Sequence, residues 1–322
     1  MSDKPGQDGF VLYHYDPSTP LAIAFVALFA NTTLLHIWQL VRRRTWYFIP
    51  FVVGGIFETV GYLGRFISSR QTPDWKTWPY AMQSLTLLLA PAFFAASIYM
   101  VLGRIVRLTD GSAHSPIPVK WLTKIFVLGD VISFLGQSAG WLPSIFLPLS
   151  VLDADSFLPT GGGMLSKADT ANEVKWGERI IIGGLCVQLL FFGLFMIVAA
   201  IFHIRILRVP TVTADALTVP WRRFLVVLYV ASALIMVRSV FRVVEYIQGS
   251  EGYLMSKEMF IYIFDASLMF LTMVIFNIWH PSRIINNHAA AGRSSDEESA
   301  HSDHHMLQQW KPTHASQRTG KA

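Results

Sequence analysis

Two arginines and a glutamate lie inside an apolar run that is long enough to cross a bilayer. The run extends from about residue 224 to 247, and Arg238, Arg242 and Glu245 lie in its second half. A helical span needs ~20 residues, and each such charge at mid-span costs roughly 2.5–3.5 kcal/mol. Their spacings of four and three residues place all three side chains on one helix face. That face must contact other polar groups or water.

Further ionisable and amide side chains lie within other apolar runs. Glu58 and Arg65 are seven residues apart, as are Asp130 and Gln137, so each pair shares a helix face. At a rise of 1.5 Å per residue, most of these groups fall at the midplane or on its outer side. A hydrated cavity open to the outer leaflet or the exterior would hold them, whereas the alternative is a buried ion-pair network that only fixes helix packing. We predict an intramembrane polar network lining a substrate pathway, formed by Glu58, Arg65, Gln83, Asp130, Gln137, Gln188, Arg238, Arg242, Glu245 and Asp265.

The elements that position these side chains are predicted to be transmembrane helices. The chain has 322 residues, of which 52% are hydrophobic and 15% charged, and its mean hydropathy is +0.43. Soluble domains carry roughly 25% charged residues, and tryptophans near the run ends are typical of membrane interfaces. The sequence therefore predicts an all-α integral membrane protein, a bundle of seven transmembrane helices with spans at about 20–41, 47–68, 80–103, 121–147, 178–204, 222–247 and 257–279.

Lysine and arginine predict the orientation of the bundle. They are more frequent in the first, third and fifth connections than in the others, and such connections are usually cytosolic. The N-terminus is therefore predicted outside and the C-terminus in the cytosol. The predicted domains are an extracellular segment (1–19), a transmembrane domain (20–282) and a disordered cytosolic tail (283–322). The one long connection, about 148–177, is predicted to be extracellular, and its glycine triplet at 161–163 lacks the Lys-Ser/Thr pair of a phosphate loop.

The sequence offers little support for catalysis or cofactors. The single cysteine, Cys186, has no histidine near it in its run, and no Gly-x-Ser-x-Gly motif is present. His36, His203 and His280 lie at cytosolic helix ends, and a zinc-dependent intramembrane lipid hydrolase using them is the less favoured alternative. We predict a protein that is not an enzyme and has no cofactor and no metal site. We also predict no nucleic-acid partner, because the positive charge of the chain lies between the helices. The sequence leaves the oligomeric state open.

Several motifs in consecutive runs carry a family resemblance. They are Tyr15-x-Pro17-Ser18, Glu58-x-x-Gly61-Tyr62-x-x-Arg65, Ala90-Pro91, Asp130-x-x-Ser133-x-x-x-Gln137, Gly184-x-x-x-Gln188, Arg238-x-x-x-Arg242-x-x-Glu245, then Glu258, Tyr262, Asp265 and His280-Pro281. Over about residues 15–285 the chain resembles the fungal lipid-translocating exporter family, the aminocholesterol-resistance-like proteins with seven spans. The resemblance implies a fungal plasma-membrane protein, or alternatively an endomembrane one. It also implies export of sphingoid long-chain bases, resistance to sterol-like toxicants, or porphyrin movement.

The resulting hypothesis is a translocator whose partners are membrane lipids and an amphipathic, lipid-like substrate. One of the carboxyls of Glu58, Asp130, Glu245 and Asp265 would pair with the amine of a sphingoid base. The arginines at 65, 238 and 242 would balance the empty site. The chain has no nucleotide-binding motif, so it would not hydrolyse ATP itself. A seven-helix lipid sensor or receptor, or a regulator of lipid flippases, is the alternative.

Overall fold

The computed structural model describes residues 13, 15–72, 75–141, 171–217, 220–249 and 252–282, and every regular element within them is helical. Short 3₁₀ turns lie at Trp46–Phe48 and Ser112–His114, and a π-helical turn lies at Tyr262–Ala266. The α-helices are α1 (Thr19–Arg43), α2 (Ile49–Ser69), α3 (Thr77–Leu108), α4 (Val119–Trp141), α5 (Ala171–Arg208), α6 (Val212–Ala216), α7 (Trp221–Ile247), α8 (Glu258–Ile261) and α9 (Ser267–Ile278).

Six helices in the described part of the chain are long and apolar enough to cross a membrane. They correspond to the predicted runs one to three and five to seven, which confirms an all-helical, multi-pass membrane protein. The fourth run corresponds to α4, which is not among the six. Its sequence contains three charged residues, Lys120, Lys124 and Asp130, and the predicted run continues to residue 147, beyond the described residues. A seventh crossing therefore stays a prediction.

The apolar part of α5 begins at Arg179, close to the predicted start of the fifth span at about 178, and the helix extends further toward its N-terminus. Helix α5 begins at Ala171, whereas the apolar pattern predicts a connection to residue 177. A helix can continue beyond the apolar run because its backbone hydrogen bonds are internal and residues such as alanine, glutamate and lysine favour helix. The glycine triplet at 161–163, the first twelve residues and the tail at 283–322 lie outside the described residues.

The long helices form a closed ring in chain order. Each packs on the next long helix, α5 packs on α7, and α9 returns to α1. Helix α3 also contacts α5 and α7, so it lies toward the middle of the bundle. The interior is rich in aromatic side chains such as Phe29, Phe94 and Tyr99, whereas Leu34 and Leu190 are exposed on the outside. An apolar exterior around a packed interior is what a lipid environment requires.

Glycines allow α2 and α3 to approach closely. A Cβ added at Gly61 would lie 2.6 Å from a methyl carbon of Leu87. One added at Gly64 would lie 2.9 Å from the carbonyl oxygen of Pro79. Gly61 and Gly64, on the same helix as Glu58, thus permit close approach of the neighbouring helix.

The substitution Gly64→Ala is expected to lower the stability of the bundle. The added methyl would meet backbone, which cannot rotate away, and such overpacking costs about 1–3 kcal/mol. Thermal unfolding of the purified protein in detergent measures the loss. The matched control is Gly183→Ala in α5, where nothing lies within 4 Å of the added Cβ. Equal unfolding temperatures for the two variants would contradict the close α2–α3 contact.

Candidate functional site

Four charged side chains from α7 and the π-helical turn form a buried ion-pair cluster. Asp265 accepts from Arg238 Nε at 2.5 Å through Oδ1, and from Arg242 through Oδ2. Arg242 Nη1 also donates to Glu245 Oε2 at 2.9 Å. All four side chains are buried. Two guanidiniums thus face two carboxylates, and we call this balanced group (Arg238, Arg242, Glu245 and Asp265) the ion-pair cluster.

Two irregularities in the helices position the ion-pair cluster. Asp265 lies in the π-helical turn Tyr262–Ala266, a local widening that often marks functional sites and rotates the following side chains. In α3, Pro91 has no N–H and cannot bond the carbonyl of Leu87 four residues earlier. Arg238 Nη2 donates to that carbonyl instead, at 2.5 Å. A freed carbonyl in a membrane helix needs such a partner, so the proline helps to fix the arginine.

Glu58 lies beside the ion-pair cluster but forms no bond with it. Its side chain is 0% exposed, and neither carboxyl oxygen accepts a hydrogen bond from any described residue. The charges of Asp265, Arg238 and Arg242 act on it without a hydrogen bond or an ion pair. Because the ion-pair cluster is already balanced, Glu58 is a surplus acid in the middle of the bundle.

Arg65 is bound at one end of the bundle. Its Nη2 donates to Glu258 Oε1 at 2.8 Å and to the Tyr15 hydroxyl at 2.9 Å, and its Nε donates to the Tyr262 hydroxyl at 3.0 Å. The backbone N–H of Ser18 donates to the same carboxylate oxygen at 2.8 Å. Arg65 therefore pairs with an acid from α8, although it shares a helix face with Glu58.

The segment before α1 covers this end of the bundle, and we call Tyr13 with residues 15–18 the N-terminal cap. Tyr13 donates to Gln83 Oε1 at 3.0 Å, and its ring packs against those of Trp75 and Tyr80. Burial, opposed by the charge of Arg65, raises the pKa of Tyr13 from 10.0 to about 12. The neutral phenol is therefore the form that fits this contact.

The contact of Tyr13 is expected to weaken at high pH. Its pKa is higher in the folded than in the unfolded protein, so its stabilisation is complete below pH 10 and is lost as the pH rises through about 12. Tyr13→Phe should cost about 0.5–1.5 kcal/mol at pH 8 through the lost hydrogen bond. The unfolding temperatures of the wild type and of Tyr13→Phe should therefore become more similar as the pH approaches 11.5. A difference that is constant from pH 8 upward would contradict this assignment.

A third group of polar side chains lies between α4 and α5. Gln137 Nε2 donates to Gln188 Oε1 at 3.1 Å, where a Cβ on Gly184 would lie 2.7 Å from Gln137. Asp130 is buried, and the Tyr99 hydroxyl of α3 approaches it. Among the described residues, neither the Tyr99 hydroxyl nor the Asp130 carboxyl has a hydrogen-bond partner. Asp130 is thus a second unpaired acid, with a donor already close to it.

The side chains predicted for the network are all buried, but they form three groups rather than one. These are the ion-pair cluster with Glu58, the capped end with Arg65 and Gln83, and the α4–α5 group with Asp130. The sequence interpretation missed Tyr13, Tyr15 and Glu258 as polar partners. A signal existed for Glu258, because it belongs to the motif that continues with Tyr262 and Asp265.

The three histidines are not grouped at one site. His36 Nε2 lies 3.0 Å from the Met273 carbonyl oxygen, and His280 Nδ1 lies 2.9 Å from the Ser282 hydroxyl. His203 instead stacks on Tyr229. Among the described residues, no three or more His, Cys, Asp or Glu side chains are grouped so as to hold a metal ion. This arrangement gives the hydrolase alternative no support.

Comparisons with known proteins place the chain among fungal membrane proteins. Residues 51–288 match the family model described as RTA1 like protein. The chain is 35% identical over 305 residues to protoporphyrin uptake protein 1 of Saccharomyces cerevisiae, covering 84% of this chain and 92% of that protein. It is 30% identical over 246 residues to the lipid-translocating exporter-like protein RTA1 of Ajellomyces capsulatus, covering 74% and 68%.

A further relative is named for a long-chain base. The sphingoid long-chain base transporter RSB1 of Saccharomyces cerevisiae is 24% identical over 298 residues, covering 82% of this chain and 72% of that protein. No solved structure matches the chain. The ion-pair cluster and Glu58 must therefore be interpreted from their own geometry.

Proposed function

Because this chain belongs to the RTA1-like protein family, we propose that it translocates amphipathic, lipid-like molecules across a membrane. The observation that carries the proposal is Glu58, a fully buried acid without a hydrogen-bond partner among the described residues. Ionisable groups at this depth are costly and are usually retained for a function. An acid left unpaired beside a balanced ion-pair cluster is available to a cation that enters the bundle.

The proposed substrate is a cationic amphiphile such as a sphingoid long-chain base. Its ammonium group would pair with Glu58, while its alkyl tail would remain among lipid chains. The described arginines at 65, 238 and 242 already bond to carboxylates, so they are less available to an anionic porphyrin. Asp130 is the second candidate for the ammonium group, although the Tyr99 hydroxyl is already close to it.

We further propose that α4 is the seventh crossing. Its side chains Leu128, Ile132 and Leu135 are exposed and apolar, which suits contact with lipid. A seventh span places the two termini on opposite sides of the membrane, and the distribution of lysine and arginine favours the N-terminus outside and the C-terminus in the cytosol. In a chain without Cys186, an impermeant thiol reagent applied to intact cells should label Asp16→Cys but not Asp110→Cys. The fungal plasma membrane is the proposed location.

The test is transport by the purified protein in proteoliposomes. Labelled sphingosine in one leaflet should reach the other side faster than in protein-free vesicles, and protoporphyrin is the second substrate to assay. Transport of protoporphyrin with no effect on sphingosine would overturn the cationic substrate class. Absence of any transport by folded protein would favour a sensor or a regulator of another lipid transporter, which would instead change conformation on binding.

A further inference from the structure

We propose that the protein exchanges its cationic substrate for a proton, and that the Glu58 carboxyl holds this proton when no substrate is bound. The inference rests on the proposed function, because it assigns an energy source to the same site. It follows from the charge balance around Glu58 and from the absence of a donor to its oxygens among the described residues.

The ion-pair cluster beside Glu58 carries no net charge. Arg238 and Arg242 carry two positive charges, and Asp265 and Glu245 carry two negative charges, all connected by ion pairs. An ionised Glu58 would add one uncompensated negative charge. A bare carboxylate in a low-dielectric interior is strongly unfavourable, so such groups become neutral or gain a partner. The empty site therefore holds Glu58 as the neutral acid.

Glu58 has both charged and titratable neighbours. The charged groups that act on it are Arg238 and Arg242 from α7 and Asp265 from the π-helical turn. Tyr62, one turn further along α2, is the titratable neighbour on its own helix. Both arginines are already bonded to Asp265. Within the described residues, nothing is arranged to replace the proton, so a positive charge from outside must do so.

The exchange follows from this charge balance. When an ammonium head group reaches Glu58 from one side, the carboxyl releases its proton to that same side and the resulting carboxylate pairs with the cation. When the head group leaves on the other side, the carboxyl takes up a proton from that side. One cation and one proton thus move in opposite directions, and the site has the same net charge in every state. A proton gradient drives substrate toward the acidic side, and membrane potential has no effect on the rate.

The experiment uses a probe whose charge is permanent. Dodecyltrimethylammonium cannot cross as a neutral base, unlike sphingosine, so its movement with protons must depend on the protein. Full-length protein is reconstituted with a pH dye inside the vesicles, and potassium with valinomycin sets the membrane potential. The probe should accumulate on the acidic side with loss of the pH gradient, at a rate that does not change with potential. Glu58→Gln should reduce this exchange at least about tenfold, whereas the exposed-acid control Asp215→Asn should not.

Each of the other outcomes contradicts a stated part of the proposal. Probe movement that follows the membrane potential without proton movement overturns the exchange but leaves translocation standing. Movement of sphingosine without the permanent cation also overturns it, because the base is then carried in its neutral form. Unchanged exchange in Glu58→Gln removes that residue as the proton carrier. If neither compound moves, the cationic substrate class fails and the exchange fails with it, and only movement of protoporphyrin would then leave translocation standing.

Discussion

Replacing Asp265 by asparagine is expected to destabilise the bundle by about 3–5 kcal/mol, the range found when one member of a buried ion pair is removed. Asp265 is the shared partner of Arg238 and Arg242, and all three are buried. Asparagine keeps the shape but not the charge, so Arg238 would lose its ion pair and Arg242 would keep only the one with Glu245. Thermal unfolding in detergent and the yield of monodisperse protein measure the effect.

The control for this prediction is Glu245→Gln. It removes one acid from the ion-pair cluster but leaves Arg242 bonded to Asp265, so the loss should be smaller. The double variant Arg238→Met with Asp265→Leu should recover part of the stability, because it removes a pair instead of isolating a charge. An Asp265→Asn protein with the unfolding temperature of the wild type would show that the ion-pair cluster does not hold the helices together.

Replacing Glu58 by glutamine is expected to reduce translocation of a labelled sphingoid base roughly tenfold or more while leaving the fold intact. A hydrogen bond to a charged group contributes about 1.5–3 kcal/mol, and each 1.4 kcal/mol corresponds to about a factor of ten. Glutamine resembles the neutral acid in size and polarity, so the empty site should keep its packing. Initial transport rates in proteoliposomes, with unfolding temperatures measured beside them, test both parts.

The matched comparison for this prediction is Asp130→Asn, since Asp130 is a second buried acid that has no hydrogen bond within the described part of the chain. If Glu58 binds the substrate, Asp130→Asn should retain more transport than Glu58→Gln. The opposite order would transfer the substrate role to the α4–α5 group. Equal transport by wild type and both variants would contradict the assignment of the substrate to either of these two carboxyls.

The sequence by itself determined the class of protein, its helices and the faces that carry charge. Apolar runs of sufficient length predict membrane helices because each residue contributes its own free energy of transfer into the bilayer. The helical period then places Arg238, Arg242 and Glu245 on one face. The motifs in these runs also carried the family resemblance, which the match over residues 51–288 confirms. The fourth span is the exception, because α4 is not among the helices found long and apolar enough to cross a membrane, and its predicted run continues beyond the described residues.

Only the tertiary structure decided which acids are paired and which is left over. Arg65 and Glu58 share a face of α2, yet Arg65 bonds to Glu258, which lies 193 residues away in sequence. The π-helical turn orients Asp265 toward α7, and Pro91 leaves a carbonyl for Arg238. Ion pairing depends on how neighbouring helices rotate and approach, and one sequence does not contain those distances. The unpaired state of Glu58, on which the proposed function rests, is therefore a property of the assembled bundle.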